Sequence, residues 1–133
     1  VIDEVLALMP LAVKFRSSIL GAFASAAAFK DGEVWLDSVL KTLEENSIMV
    51  RDLLSAKLPS VKTHLPQSSY VAWLDLSALN LGENPAQTLL ERGKVAFNAG
   101  YMYGAQSSQF VRLNYATSPT ILTEAIDRIV KSL

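Results

Sequence analysis

The spacing of the apolar residues changes at Pro59. Before it they recur at helical spacing over two long stretches; after it they mostly alternate in short runs. A helical stripe does not lie in a sheet, and an alternating run does not lie along one face of a helix. The chain is therefore confined to long helices followed by short strands and further helices. The predicted order is α-α-β-β-α-β-β-α. That is an α+β fold class with a small, mostly antiparallel sheet of about four strands and helices packed on one face.

Leu8, Leu11, Ala12, Phe15, Ile19, Ala22, Phe23 and Ala26 make the first stripe. Pro10 fits a helix only in its first turn, because it lacks an N–H and its ring clashes further in. That helix is expected to begin near residue 9 or 10, with residues 1–8 as a separate short turn. Ser17, Ser18, Gly21, Ala22 and Ser25 thin another side of it. Lys30-Asp31-Gly32 is the break, with Gly32 suited to a left-handed cap. The second helix is predicted over Glu33–Leu58. Its buried face is Leu36, Val39, Leu40, Leu43, Ser47, Val50, Leu53 and Leu54, and Glu44, Glu45, Arg51, Asp52 and Lys57 mark the wet side.

Val61–His64 reads as a short strand, and Leu65-Pro66-Gln67 turns the chain. Ser69–Leu76 is a strand rich in aromatic and branched residues, apolar on both faces and so expected to be covered on both. Asn84-Pro85 starts a helix that ends at Gly93. Lys94–Phe97 is predicted as a short strand, Asn98–Ser108 as a loop and Gln109–Tyr115 as a strand. Ser118-Pro119 caps the last helix, whose stripe is Ile121, Leu122, Ala125, Ile126, Ile129 and Val130.

The 133 residues make one domain, residues 1–133, with enough chain for a real core. A net charge of −1 offers no basic stripe to nucleic acid or to a membrane surface. No apolar run reaches the ~20 residues of a membrane span. The start VIDEVLALMP lacks the basic region and cleavage site of a signal peptide. Cysteine is absent, which excludes disulfides and thiolate chemistry and fits a cytoplasmic protein. Charged residues are 19% of the chain, against a usual ~25%, while 50% are hydrophobic. That balance, with no initiator methionine, leads us to expect a piece of something larger whose surface is partly covered.

Glycine-rich phosphate loops, HExxH, GxSxG and metal-spaced Cys/His sets are all missing. His64, the single histidine, is expected to be structural or solvated, since a metal needs several converging ligands. Asp75 is expected to cap the turn after its strand. The remaining carboxylates lie at helix ends or on wet faces, unpaired for acid–base work. Two features stand apart. Tyr101, Met102 and Tyr103 lie between Gly100 and Gly104 on a loop, either as a binding loop or as a lid on the domain's own core. Arg112 lies in FVRLNYATSP, where alternation puts it on one face with Phe110 and Asn114, opposite Val111, Leu113 and Tyr115. It is either paired locally or free to grip a carboxylate with two parallel hydrogen bonds.

SSYVAWLDL, then a helix, then KVAFNAGYMYG, then QFVRLNYATSP before a last helix, resembles the C-terminal part of fold-type-I pyridoxal-phosphate (PLP) enzymes, the class I/II aminotransferase superfamily. The branch it resembles is the cystathionine beta-lyases of MalY/PatB type, whose strand reads much like YLAWLD and whose arginine segment reads much like FVRLNxAxS. FKDGEVWLDSVLKTLEEN resembles that branch's link from the long domain-spanning helix to the small domain. The resemblance runs from Leu8 to Leu133.

The resemblance implies an aminotransferase small-domain fold in a parent enzyme that uses PLP, acts on an amino-acid substrate and is a homodimer. It implies that Arg112 binds the substrate's α-carboxylate, which suits its planar fork. Asn114, Tyr101 and Tyr103 are secondary candidates for substrate contact. The two tyrosines stand where the family commonly has glycine, serine or phenylalanine, and AQSSQF replaces a glycine- and glutamate-rich run. The family's Schiff-base lysine, its aspartate at the pyridine nitrogen and its phosphate cup lie on a large N-terminal domain. None of the seven lysines here has the family's Ser-x-x-Lys or Ser-Lys setting, and Lys14 lies on a helix. The chain is therefore expected to hold no catalytic residue and no metal, to bind no PLP productively, and to be inactive alone. The alternative is a non-catalytic α+β module that binds a partner or a small acid through its sheet face, which fold alone does not exclude.

Overall fold

The computed structural model describes residues 2–10 and 18–133, in two compact units that meet in sequence between Val39 and Leu40. The first unit holds helix α1 (Ile2–Leu8), helix α2 (Ile19–Asp31) and the start of helix α3 (Glu33–Lys57). Ser18 caps α2, its hydroxyl accepting from the Gly21 N–H at 3.2 Å. Leu11, Ala12 and Phe15 of the predicted stripe, with Lys14 and Ser17, lie outside the described residues. The rest of that stripe is exposed, with Ile19 at 74% and Phe23 at 73%. The break falls at Gly32 as expected, but not through a left-handed cap. Gly32 has φ −87°, and a Cβ there would overlap the Ala28 carbonyl oxygen. Glycine is needed for close approach, not for its sign of φ.

The second unit contains the core. Helix α3 supplies Val50 and Leu54 to it. The predicted face of this helix is too long: Leu36 and Leu40 are exposed, and burial begins only at Asn46. Asn84 and Ser118 cap α4 (Pro85–Gly93) and α5 (Pro119–Ser132), each accepting from a backbone N–H at 3.3 Å, with proline as the next residue. Both helices form where their signals place them. Leu89 from α4 and Leu122, Ile126 and Ile129 from α5 meet Val50 and Leu54.

The sheet has three strands in the order β1 (Val71–Asp75), β3 (Phe110–Asn114), β2 (Asn98–Ala99), all antiparallel. Ala72, Leu74, Val111 and Leu113 point into the helical core, so helices cover one face, as expected for this fold class. The strand count is lower than predicted for two reasons. Val61–His64 makes only a bridge from Lys62 to Asp75, after which the Thr63 hydroxyl, not a backbone N–H, donates to the Trp73 carbonyl. Lys94 is spent on ending α4, in a left-handed conformation with φ 54°, so pairing with β3 starts four residues later, at Asn98.

Asp75 caps the following turn as predicted, its Oδ1 accepting from the Ser77 N–H at 2.9 Å. Hydrogen bonds from the Ser77 side chain, then from its backbone, hold the carboxyl below its ordinary value of 3.8, against an opposing desolvation. A depressed folded pKa stabilises the fold above the ordinary value and loses that contribution as pH falls through the depressed one. Asp75→Asn keeps the shape without the charge. Its melting temperature should lie below the parent's at neutral pH, and the gap should close below about pH 4.

Candidate functional site

Strand β3 is central, and because β2 is short only its Val111 and Arg112 are flanked from both sides, while Phe110, Leu113 and Asn114 pair with β1 alone. Arg112 pairs in register with Trp73 of β1 and with Asn98 of β2. One row across the sheet therefore reads Trp73, Arg112, Asn98, on the face away from the helical core. Alternation along the strand separates the two faces as expected. Val111, Leu113 and Tyr115 are buried, while Phe110 and Arg112 are half-buried and Asn114 is exposed. The non-helical face of β1 is only partly covered, by rings rather than by helices.

Those rings form a connected set. Trp73 stacks on Phe110, with centroids 5.6 Å apart and planes at 16°, the diagonal contact of an antiparallel pair. Tyr103 meets Trp73 edge-on at 5.4 Å, and its ring lies 5.3 Å from the Arg112 guanidinium carbon. Tyr103 is delivered by the loop after β2, which closes into two short helical turns, Gly100–Tyr103 and Ala105–Ser107. Gly100 allows that closure. A Cβ there would overlap the Ser107 carbonyl oxygen and stand 2.5 Å from that of Phe110.

Arg112 Nη2 donates to Asn98 Oδ1 at 2.9 Å. Its Nε is buried and, among the described residues, without a hydrogen-bond partner. Among the same residues it joins no ion pair, whereas Arg51 and Arg128 hold Asp52 and Glu124. An orphaned N–H beside a lightly committed guanidinium is an incomplete donor set. Beyond the bond to Asn98, the terminal nitrogens remain donors suited to a planar anion with two oxygens.

The other candidates are distributed unevenly around this arginine. Tyr103 is on it. Tyr101 is 54% exposed. Asn114 Oδ1 accepts from the Ala116 N–H at 2.8 Å, which makes it a turn residue at the end of β3. His64 is exposed, and no group of acidic, histidine or cysteine residues that could hold a metal occurs among the described residues. Asn98 and Trp73 come to Arg112 through strand register, which the sequence does not display. Asn46 is the other residue that periodicity missed. It lies buried on α3 and its Nδ2 donates to the carbonyls of Tyr115 and Thr117 at 2.9 and 2.8 Å, tying the exit of β3 to the helix.

This donor set suits a carboxylate. The described residues that hold Arg112, Asn98 and Tyr103, offer no amine to bond an aldehyde, so this set does not suit covalent attachment of PLP. No described helix is long and apolar enough to cross a membrane.

No family model matches the chain. Individual relatives do. Bacillus subtilis cystathionine beta-lyase PatB is 37% identical over 118 residues, covering 86% of this chain and 30% of its own length. Escherichia coli protein MalY is 36% identical over 117 residues, covering 87% of this chain and 30% of its own. The crystal structure of cystalysin from Treponema denticola, which contains PLP, superposes with a TM-score of 0.81 at 26% identity, covering 86% of this chain and 29% of that one. The chain spans about a third of the length of the curated relatives it matches. An antiparallel sheet backed by helices on one side, with these relatives, defines a small domain of the PLP-dependent, aminotransferase-fold enzymes. Within that superfamily its relatives are the cystathionine beta-lyases of MalY/PatB type, of which it matches a fragment.

Proposed function

We propose that this chain is the C-terminal, substrate-binding part of a PLP-dependent C–S beta-lyase or aminotransferase that acts on amino acids, and that Arg112 binds the substrate's α-carboxylate. The supporting observation is the state of Arg112: half-buried, placed by a central strand, held only by neutral groups and left with an unpaired buried Nε. A guanidinium in this state binds and orients a carboxylate as a two-pronged donor. Trp73 and Tyr103 flank it on the same sheet face, which reduces its exposure to water and strengthens the pairing.

PLP, held by parts of the parent beyond this chain, would act as electron sink for the carbanion at the substrate's α-carbon. The residues described here bind and orient; the chain by itself is inactive under this reading. The parent is a homodimeric, cytoplasmic enzyme that binds neither nucleic acid nor membrane. Product analysis of the full-length enzyme tests the proposal. Pyruvate, ammonia and homocysteine from cystathionine identify a lyase; a 2-oxo acid with transfer of the amino group identifies a transaminase. Neither product from any amino acid would leave the sheet-face binding module as the reading.

A further inference from the structure

Among the described residues the groups that hold Arg112 are all uncharged, although a carboxylate at either position would hold it more tightly. Asn98 faces it across the β2–β3 ladder, and Tyr103 presents a ring. Elsewhere in the chain arginines are held by Asp52 and Glu124. The difference has a physical consequence. A carboxylate beside Arg112 would neutralise the guanidinium and occupy the donors a ligand needs, whereas a carboxamide fixes the plane and leaves the full charge.

The orientation of Asn98 follows from chemistry. Arginine has no acceptor, so the carboxamide must present Oδ1 to Nη2. Its Nδ2 then carries two N–H groups that, among the described residues, make no hydrogen bond. A neutral clamp and a spare donor therefore sit on one residue, held by strand register to the side of the guanidinium.

We infer that Asn98 is a positioning residue for Arg112: its Oδ1 fixes the guanidinium without spending its charge, and its Nδ2 is a further donor to the bound carboxylate. This rests on the proposal that Arg112 binds a carboxylate, and it adds what keeps that arginine available. The same placement gives Asn98→Asp a distinctive effect. The variant is nearly isosteric and gains an ion pair, so it should hold the fold as well or better while blocking the ligand.

The test is a titration of the full-length enzyme with L-alanine at pH 7, with propylamine as the control that lacks a carboxylate, followed by calorimetry and by NMR at the Arg112 Nε–H. The parent should show a saturable shift with alanine alone. Asn98→Ala should weaken binding about tenfold. Asn98→Asp should abolish it while leaving the melting temperature unchanged or raised, a split that a merely structural role does not produce. If Asn98→Asp binds as the parent does, or loses binding and stability together, the inference is overturned while the role of Arg112 stands. If the parent shows no shift, or Arg112→Ala binds alanine equally well, the carboxylate reading itself fails.

Discussion

Replacing Arg112 with alanine should weaken amino-acid binding by the full-length enzyme about a hundredfold, because a charged, two-pronged hydrogen bond is worth roughly 3 kcal/mol. Calorimetric titration with an unreactive amino acid reads the loss directly. Arg112→Lys keeps the charge but not the fork, so it should recover only part of the affinity. Stability should respond differently. Among the described residues Arg112 makes one side-chain hydrogen bond, to Asn98, and carries an Nε that is buried without a partner, so its removal also relieves an unsatisfied donor. The melting temperature of the variant should stay close to the parent's. A large fall in stability with unchanged affinity would make Arg112 a structural residue and remove the reason for calling this face a site.

Asn46→Ala should have the opposite profile, a large loss of stability with no direct effect on ligand chemistry. Asn46 is 2% exposed, and its amide satisfies two carbonyls at once. Truncation leaves both without that donor, the Tyr115 carbonyl in a buried place and the Thr117 carbonyl in a half-buried one, a cost of about 2–4 kcal/mol. In a unit of this size that should lower the melting temperature by more than about 10 °C. Asn46→Asp should be at least as damaging at neutral pH, since a carboxylate facing two carbonyl oxygens has only acceptors to offer. Thermal unfolding of both variants checks this. Because Asn46 anchors the end of the strand that carries Arg112, a mild variant here should loosen the site before it unfolds the domain.

The parts of the fold that could be read without a structure are those fixed by short-range chemistry. Asn84-Pro85 and Ser118-Pro119 started helices because an acceptor side chain followed by a ring without an N–H is complete within a few residues. Asp75 capped its turn for the same reason. The errors came where a partner decides. Val61–His64 had the alternation of a strand but made only one bridge, and none of Lys94–Phe97 is strand, the pairing with β3 falling instead on Asn98–Ala99 of the predicted loop. Leu36 and Leu40 have the spacing of a buried stripe but are exposed, because periodicity states which residues share a face and not what lies against it.

The site divides in the same way. That Arg112 shares a face with Phe110 and Asn114, opposite Val111, Leu113 and Tyr115, is legible in the residue order, since alternation along a strand is a local property of the backbone. The same order also carried the FVRLNYATSP and SSYVAWLDL resemblance that the relatives bear out. That Trp73 and Asn98 flank the arginine, that Tyr103 reaches it from a loop, and that Asn46 holds the strand's end emerges from the folded chain alone. Each of these contacts depends on strand register or loop closure between residues far apart in the chain. Such pairings are chosen by the packing of the whole sheet against its helices, and no short stretch of sequence contains that information.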